Sequence, residues 1–186
     1  MRFGRFLCVL LLATSSEARI GETSIQFADR YGRPRDTAAD KPPNAVFALV
    51  EGAIHHTYEY KGWKIRAAFL QIDGPAVRMD FSKLPNGQNA RIQDYELEAI
   101  RTANTPAGTT WKQILCNNPD SPNGPLAKLG EAYFASMLGE KMWRRTDGAI
   151  LWLRSTVFVR LELPAARQHE EQLKIRKDQR AHASVR

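Results

Sequence analysis

A chain of 186 residues, 43% hydrophobic and 25% charged, is long enough to bury one core unaided and too apolar for wholesale disorder. Its formal net charge of +7 suits anionic partners such as lipid headgroups, acidic polymers or nucleic acid, and selects none of them. Its two cysteines, Cys8 and Cys116, show neither Cys-x-x-Cys nor Cys/His ligand spacing, which excludes a disulfide framework or a zinc ribbon.

Residues 1–18 begin with Arg2 and Arg5. They continue through the apolar run FLCVLLLA (6–13) and end in TSSEA, with Ser16 and Ala18 small at the −3 and −1 positions of a cleavage site. Charge, then grease, then small residues is the order of a secretory signal peptide. The apolar run falls short of the roughly 18–20 residues that cross a bilayer, so no transmembrane span is expected after its removal. Cys8 lacks the small preceding residues of a lipobox. Removal takes away Arg2, Arg5 and Glu17, which lowers +7 only to +6, so the basicity belongs to the mature chain. The expected organisation is a signal peptide over 1–18, one domain over 19–164 and a charged helical or disordered tail over 165–186.

The phrase IGETSIQFADRYGRP (20–34) predicts a short helix. Thr23 or Glu22 starts it, Ile20, Phe27 and Tyr31 share a side, Gly32 takes the cap and Pro34 prevents continuation. Residues 36–44, with Pro42-Pro43, predict a loop. From Ala45 the period becomes two. Strands are expected over 46–50, 54–60 and 63–72, with a tight turn at Lys61-Gly62. Asp73-Gly74 predicts a hairpin into a strand with Val77, Met79 and Phe81 on one face and Arg78 and Asp80 on the other. Residues 93–103 and 126–138 predict helices, and Trp111 is expected to pack on the sheet. Strands follow over 142–147, 149–154 and 157–163, with a second hairpin at Asp147-Gly148. Residues 167–186 hold six basic and three acidic side chains without an apolar stripe, as a solvated, fraying helix would. The two halves, each a helix and a meander, are loosely alike. The expected fold class is α+β: an antiparallel meander sheet of about six or seven strands with short helices packed on one face.

The opening helix with its Gly-x-Pro stop, followed by a meander rich in Tyr and Trp, resembles small bacterial envelope proteins over residues 20–81. It is similar to outer-membrane assembly lipoproteins of the SmpA/OmlA type, to the related beta-lactamase-inhibitor-like fold, and more so to secreted bacterial proteins that open in this way. The resemblance implies an envelope-located, non-catalytic α+β domain and carries over no binding residue. The chain departs from the lipoproteins in lacking a lipobox cysteine and in continuing about a hundred residues further.

No catalytic motif stands out. G-x-S-x-G, a Walker A loop and G-x-G-x-x-G are all absent. Cys116 lies in the turn-rich LCNNPDSPNGP and reads as an unpaired loop thiol. His55 and His56 are adjacent in a strand and so point to opposite faces, which prevents joint chelation of one metal. Glu96/Glu98 and Glu170/Glu171 do not face each other on a helix. No catalytic, metal or cofactor site is therefore assigned.

Tyr58, Tyr60, Trp63, Arg66 and Arg78 form the candidate ligand or partner surface, since aromatics interleaved with cations can hold bases or sugars. The same alternation also reads as an aromatic core face backed by a wet cationic face. Trp143, Arg144, Arg145 and Trp152 pose the same choice. The expected function is an exported, periplasmic or extracellular binding or envelope-assembly module. Its expected partner is a protein or an anionic envelope surface, with no nucleic acid. The alternative is an envelope hydrolase with a site near His55 or His56. The basic tail could also hold the protein to anionic lipid.

Overall fold

A computed structural model describes residues 19–39, 49–84, 91–114, 139–154 and 156–183. Cys116, the expected helix over 126–138 and most of the expected strand over 46–50 lie outside them.

The chain begins with helix α1 (Ser24–Tyr31). The Gln26 side-chain oxygen accepts the Thr23 backbone N–H at 2.8 Å, and the Thr23 hydroxyl oxygen accepts the Gln26 N–H at 3.4 Å. That reciprocal box satisfies two donors the first helical turn leaves over. Gly32 ends the helix at a φ of 81°, where a side chain would be strained. Strands β1 (Asp36–Ala39), β2 (Ile54–Tyr60), β3 (Trp63–Phe69) and β4 (Ala76–Lys83) then form an antiparallel meander. The second half repeats this plan with α2 (Asp94–Ala103) and strands β5 (Trp111–Ile114), β6 (Lys141–Arg145), β7 (Ile150–Arg154) and β8 (Phe158–Glu162). A last helix, α3 (Pro164–Ala183), follows.

The two meanders join through their final strands, giving one eight-stranded sheet in the order β1-β2-β3-β4-β8-β7-β6-β5, antiparallel throughout. The β4–β8 register is centred on Asp80↔Arg160, with Arg78↔Glu162 on one side and Ser82↔Phe158 on the other. Each residue of β4 thus corresponds to the residue of β8 eighty positions later, and an approximate two-fold axis through the central pair exchanges the halves. The β2–β3 turn at Lys61-Gly62 and the β6–β7 turn at Asp147-Gly148 correspond in the same way, with glycine φ values of 82° and 88°.

Period-two alternation gives the sheet its two faces. Tyr58, Ile65, Ala67, Met79, Phe81, Trp143, Leu151, Leu153, Val159 and Leu161 point to one side and form the main core with Phe27 and Tyr31 of α1 and Leu97 of α2. The Asn104 side-chain carbonyl accepts the Ile20 backbone N–H at 2.7 Å, and the Arg145 guanidinium donates to the Asn104 backbone carbonyl, tying the start of the first half to the second.

Three expectations need correction. The sheet has eight strands rather than six or seven, because β1 and β5 are strands. Asp-Thr-Ala-Ala and Trp-Lys-Gln-Ile are four-residue strands at the two ends of the strand order, and neither carries a run of alternating apolar residues. Leu49 and Val50, expected at the end of a strand, lie in a bend and are buried. The helices are not confined to one face either. Ala166 of α3 joins Leu49, Val50, Ala53, Ala68 and Val77 in a second, smaller core on the side opposite α1 and α2.

Candidate partner-binding face of the sheet

The five residues singled out from sequence do not make one surface. Tyr58 is fully buried, its ring 5.6 Å from that of Phe27 and 5.7 Å from that of Tyr31. Tyr60, half-buried, packs edge-on against Tyr31, and Trp63 lies against the same core. Arg66 and Arg78 alternate to the opposite face. There Arg78 is buried beneath α3, ion-paired with Glu162 at 2.7 Å and with Glu170 of α3 at 2.7 Å, and it also donates to the Leu49 carbonyl. Burial works against its charge, but hydrogen bonds and attraction from Glu170 and Glu162 outweigh it, so Arg78 stays a cation.

The histidines separate as adjacent strand residues must. His55 is buried, with Nε2 3.1 Å from the Val50 carbonyl oxygen. His56 faces the main core, with Nδ1 3.1 Å from the Tyr58 hydroxyl and its ring 5.0 Å from that of Phe69. Burial and then the charge of His55 hold the His56 pKa below its ordinary 6.5. The folded state therefore resists a proton that the unfolded chain accepts, and stability present above pH 6.5 is lost as the pH falls through the lowered value. Urea midpoints measured from about pH 7.5 down to about pH 5 should fall, and His56→Asn should flatten that fall relative to the parent; an unchanged profile refutes the role of His56.

Among the described residues no group of three His, Cys, Asp or Glu is placed to hold a metal ion. An open groove of about 1020 Å³ runs between residues 19–22 and α2, lined by Glu22, Tyr95, Glu98, Thr102 and Arg145 among others. Three of its four charged side chains pair within the fold, Glu22 with Arg30, Glu98 with Arg101 and Arg145 with Asp147, while Arg19 is exposed and one Glu22 carboxylate oxygen is buried without a hydrogen-bond partner.

The sheet face opposite α1 and α2 carries charged and aromatic side chains in rows. Reading across one row of the register, Arg66, Asp80, Arg160 and Trp152 stand side by side. Asp80 is 3% exposed and accepts two hydrogen bonds from Arg160, at 2.9 and 3.0 Å. The next row holds Lys64, Ser82, Phe158 and Arg154. The Arg154 guanidinium lies 4.7 Å above the Trp152 ring, and that of Arg160 5.5 Å from the Phe158 ring. Each ring helps fix a cation in place; the Arg160 guanidinium is also held by its hydrogen bonds to Asp80. Lys64 and Arg154 are exposed. The candidate surface read from the sequence included Arg66 of this face, set Lys64 beside it without counting it in, and left out Arg154 and Phe158. Arg154, Phe158 and Lys64 come from β7, β8 and β3, and only the register brings them together.

No helix among the described residues is long and apolar enough to cross a membrane. No family model, curated protein or solved structure matches the chain.

Proposed function

We propose that this chain is an exported, non-catalytic binding or envelope-assembly module that meets its partner through the sheet face opposite α1 and α2. The carrying observation is the row Lys64, Ser82, Phe158 and Arg154, where exposed cations flank an aromatic ring on a sheet surface that α3 leaves uncovered. Interfaces concentrate their binding energy in arginines and aromatics held rigid before contact. Export rests on the leader pattern of residues 1–18.

The test is fractionation of the source cell, with mass determination of the mature chain and an esterase, peptidase and glycosidase screen on the purified protein. The expected chain begins at Arg19, is recovered from the exported fraction and hydrolyses nothing. An intact 186-residue chain in the cytoplasm overturns export. Hydrolysis lost in His55→Ala or His56→Ala overturns the non-catalytic reading.

A further inference from the structure

The two-fold axis through Asp80 and Arg160 makes one strip of the sheet the counterpart of another. On one side of the axis run Ile150, Glu162, Arg78 and Ala68, neighbours across β7, β8, β4 and β3. On the other run Lys64, Ser82, Phe158 and Arg154, neighbours across β3, β4, β8 and β7. Arg78 corresponds to Phe158, and Ala68 to Arg154. The chain treats the two strips differently.

The first strip lies under a helix. Ala166 of α3 packs with Ala68 and Val77, Glu170 of α3 pairs with Arg78, and Arg167 of α3 reaches Glu162 at 3.3 Å. Small side chains let the helix approach the strands, and opposite charges fix its position. The second strip has no such cover among the described residues: Lys64 and Arg154 are exposed, and Ser82 and Phe158 between them are half-buried. It also differs in charge. The covered strip holds one cation and one anion, whereas the open strip holds two cations and no carboxylate.

We propose that the open strip is the docking site for an acidic helix of a partner protein, laid across β3, β4, β8 and β7 as α3 lies on the equivalent strip. This rests on the reading of the chain as a binding module and names the partner's chemistry. Four strands about 4.8 Å apart put Lys64 and Arg154 about 14 Å from each other. At about 1.5 Å per residue, a helix meets both with carboxylates roughly two and a half turns apart. Small or apolar side chains between those carboxylates cover Phe158 and Ser82.

Two observations favour a protein helix over other anions. Guanidinium groups already occupy positions over the Trp152 and Phe158 rings, so those faces are not open for base stacking. A lipid headgroup layer or a bare polyanion would pair with Lys64 and Arg154 and leave Phe158 without apolar cover.

The experiment places a photoreactive amino acid at Ser82 of the full chain in its source cell, with a second probe at Ile25, which is 62% exposed on α1. Adducts are mapped to the residue by mass spectrometry. The expected adduct at Ser82 joins an acidic helical segment of another protein. Its yield drops about tenfold or more in Lys64→Glu/Arg154→Glu and holds in Arg33→Glu, an equal charge reversal per site elsewhere on the surface. Adducts only to lipid, to nucleic acid or to a second copy of this chain overturn the proposal, as does a yield indifferent to the double reversal or no adduct at Ser82. Protein adducts at Ile25 without any at Ser82 remove this docking strip and leave the chain a binding module.

Discussion

Arg78→Ala is expected to cost about 3–5 kcal/mol of folding stability and to release α3 from the sheet. Arg78 is 5% exposed, and its guanidinium serves three groups from separate parts of the chain: Glu162 of β8, Glu170 of α3 and the carbonyl of Leu49. The two hydrogen bonds to Glu170 measure 2.7 and 2.8 Å, a paired geometry that suits a planar guanidinium. Truncation leaves three unequal debts. The Glu170 side chain is 38% exposed and can turn to water, so its loss is small. The Glu162 side chain is 13% exposed and keeps only the longer contact to Arg167, so it remains as a poorly compensated buried charge. The Leu49 carbonyl loses a donor in a buried cluster.

Because the main cost is the stranded carboxylate, Arg78→Met should be nearly as harmful although it fills the space. Arg78→Met combined with Glu162→Leu should recover most of the loss, since apolar pairs replace buried ion pairs without penalty when volume is kept. Urea unfolding measures the stability, and limited proteolysis after the lysines and arginines of α3 measures its release. A loss below about 1 kcal/mol with α3 still protected would place Arg78 among marginal surface pairs.

The parts of the fold legible in the sequence are those whose local chemistry and tertiary role agree. Tyr58, Ile65, Met79 and Leu161 alternate with polar residues because one sheet face is dry. Lys61-Gly62 and Asp147-Gly148 stand out because their glycines adopt positive φ. β1 was not legible because Asp-Thr-Ala-Ala has no apolar period; its backbone pairing with β2 defines it. α3 hides its attachment for a related reason. Its footing is two alanines and ion pairs spread along the helix, which leave no apolar stripe.

The candidate site was legible in composition and not in place. The five residues between Tyr58 and Arg78 were grouped because aromatics and cations interleave there; the fold follows the other reading of that alternation, an aromatic core face backed by a cationic one, with Tyr58 and Arg66 on opposite sides. The strip that collects exposed cations around Phe158 joins Lys64 to Arg154, ninety positions apart, through the β4–β8 register. That register follows from how two meanders meet, which no local pattern encodes. The same junction explains why similar halves diverge: α3 follows β8 directly and folds back over one strip, and among the described residues the other has no such cover.

Phe27→Ala is expected to cost about 3–5 kcal/mol and to uncouple α1 from the sheet. α1 has eight residues, too few to persist alone in water, so it exists by virtue of what it buries. Its buried residues are Phe27 and Tyr31. The Phe27 ring sits among three others, with centroids 5.7 Å from Tyr31, 5.6 Å from Tyr58 and 5.6 Å from Phe69, the last edge to face. Alanine would leave a cavity walled by rigid rings, and because Tyr58 and Phe69 are fixed by the strands that carry them, the site cannot collapse to fill it. Phe27→Leu retains most of the volume and should cost about 1.5 kcal/mol or less. The backbone bonds between Gly21 and Ala76, and between Ala76 and Glu22, hold only the entry to α1. Amide exchange in Phe27→Ala should therefore accelerate along Ala28 to Tyr31 more than at Gly21 and Ala76. Equal acceleration at all these positions would mean that α1 opens only with the whole sheet, and protection retained along α1 would mean that Phe27 is not its anchor.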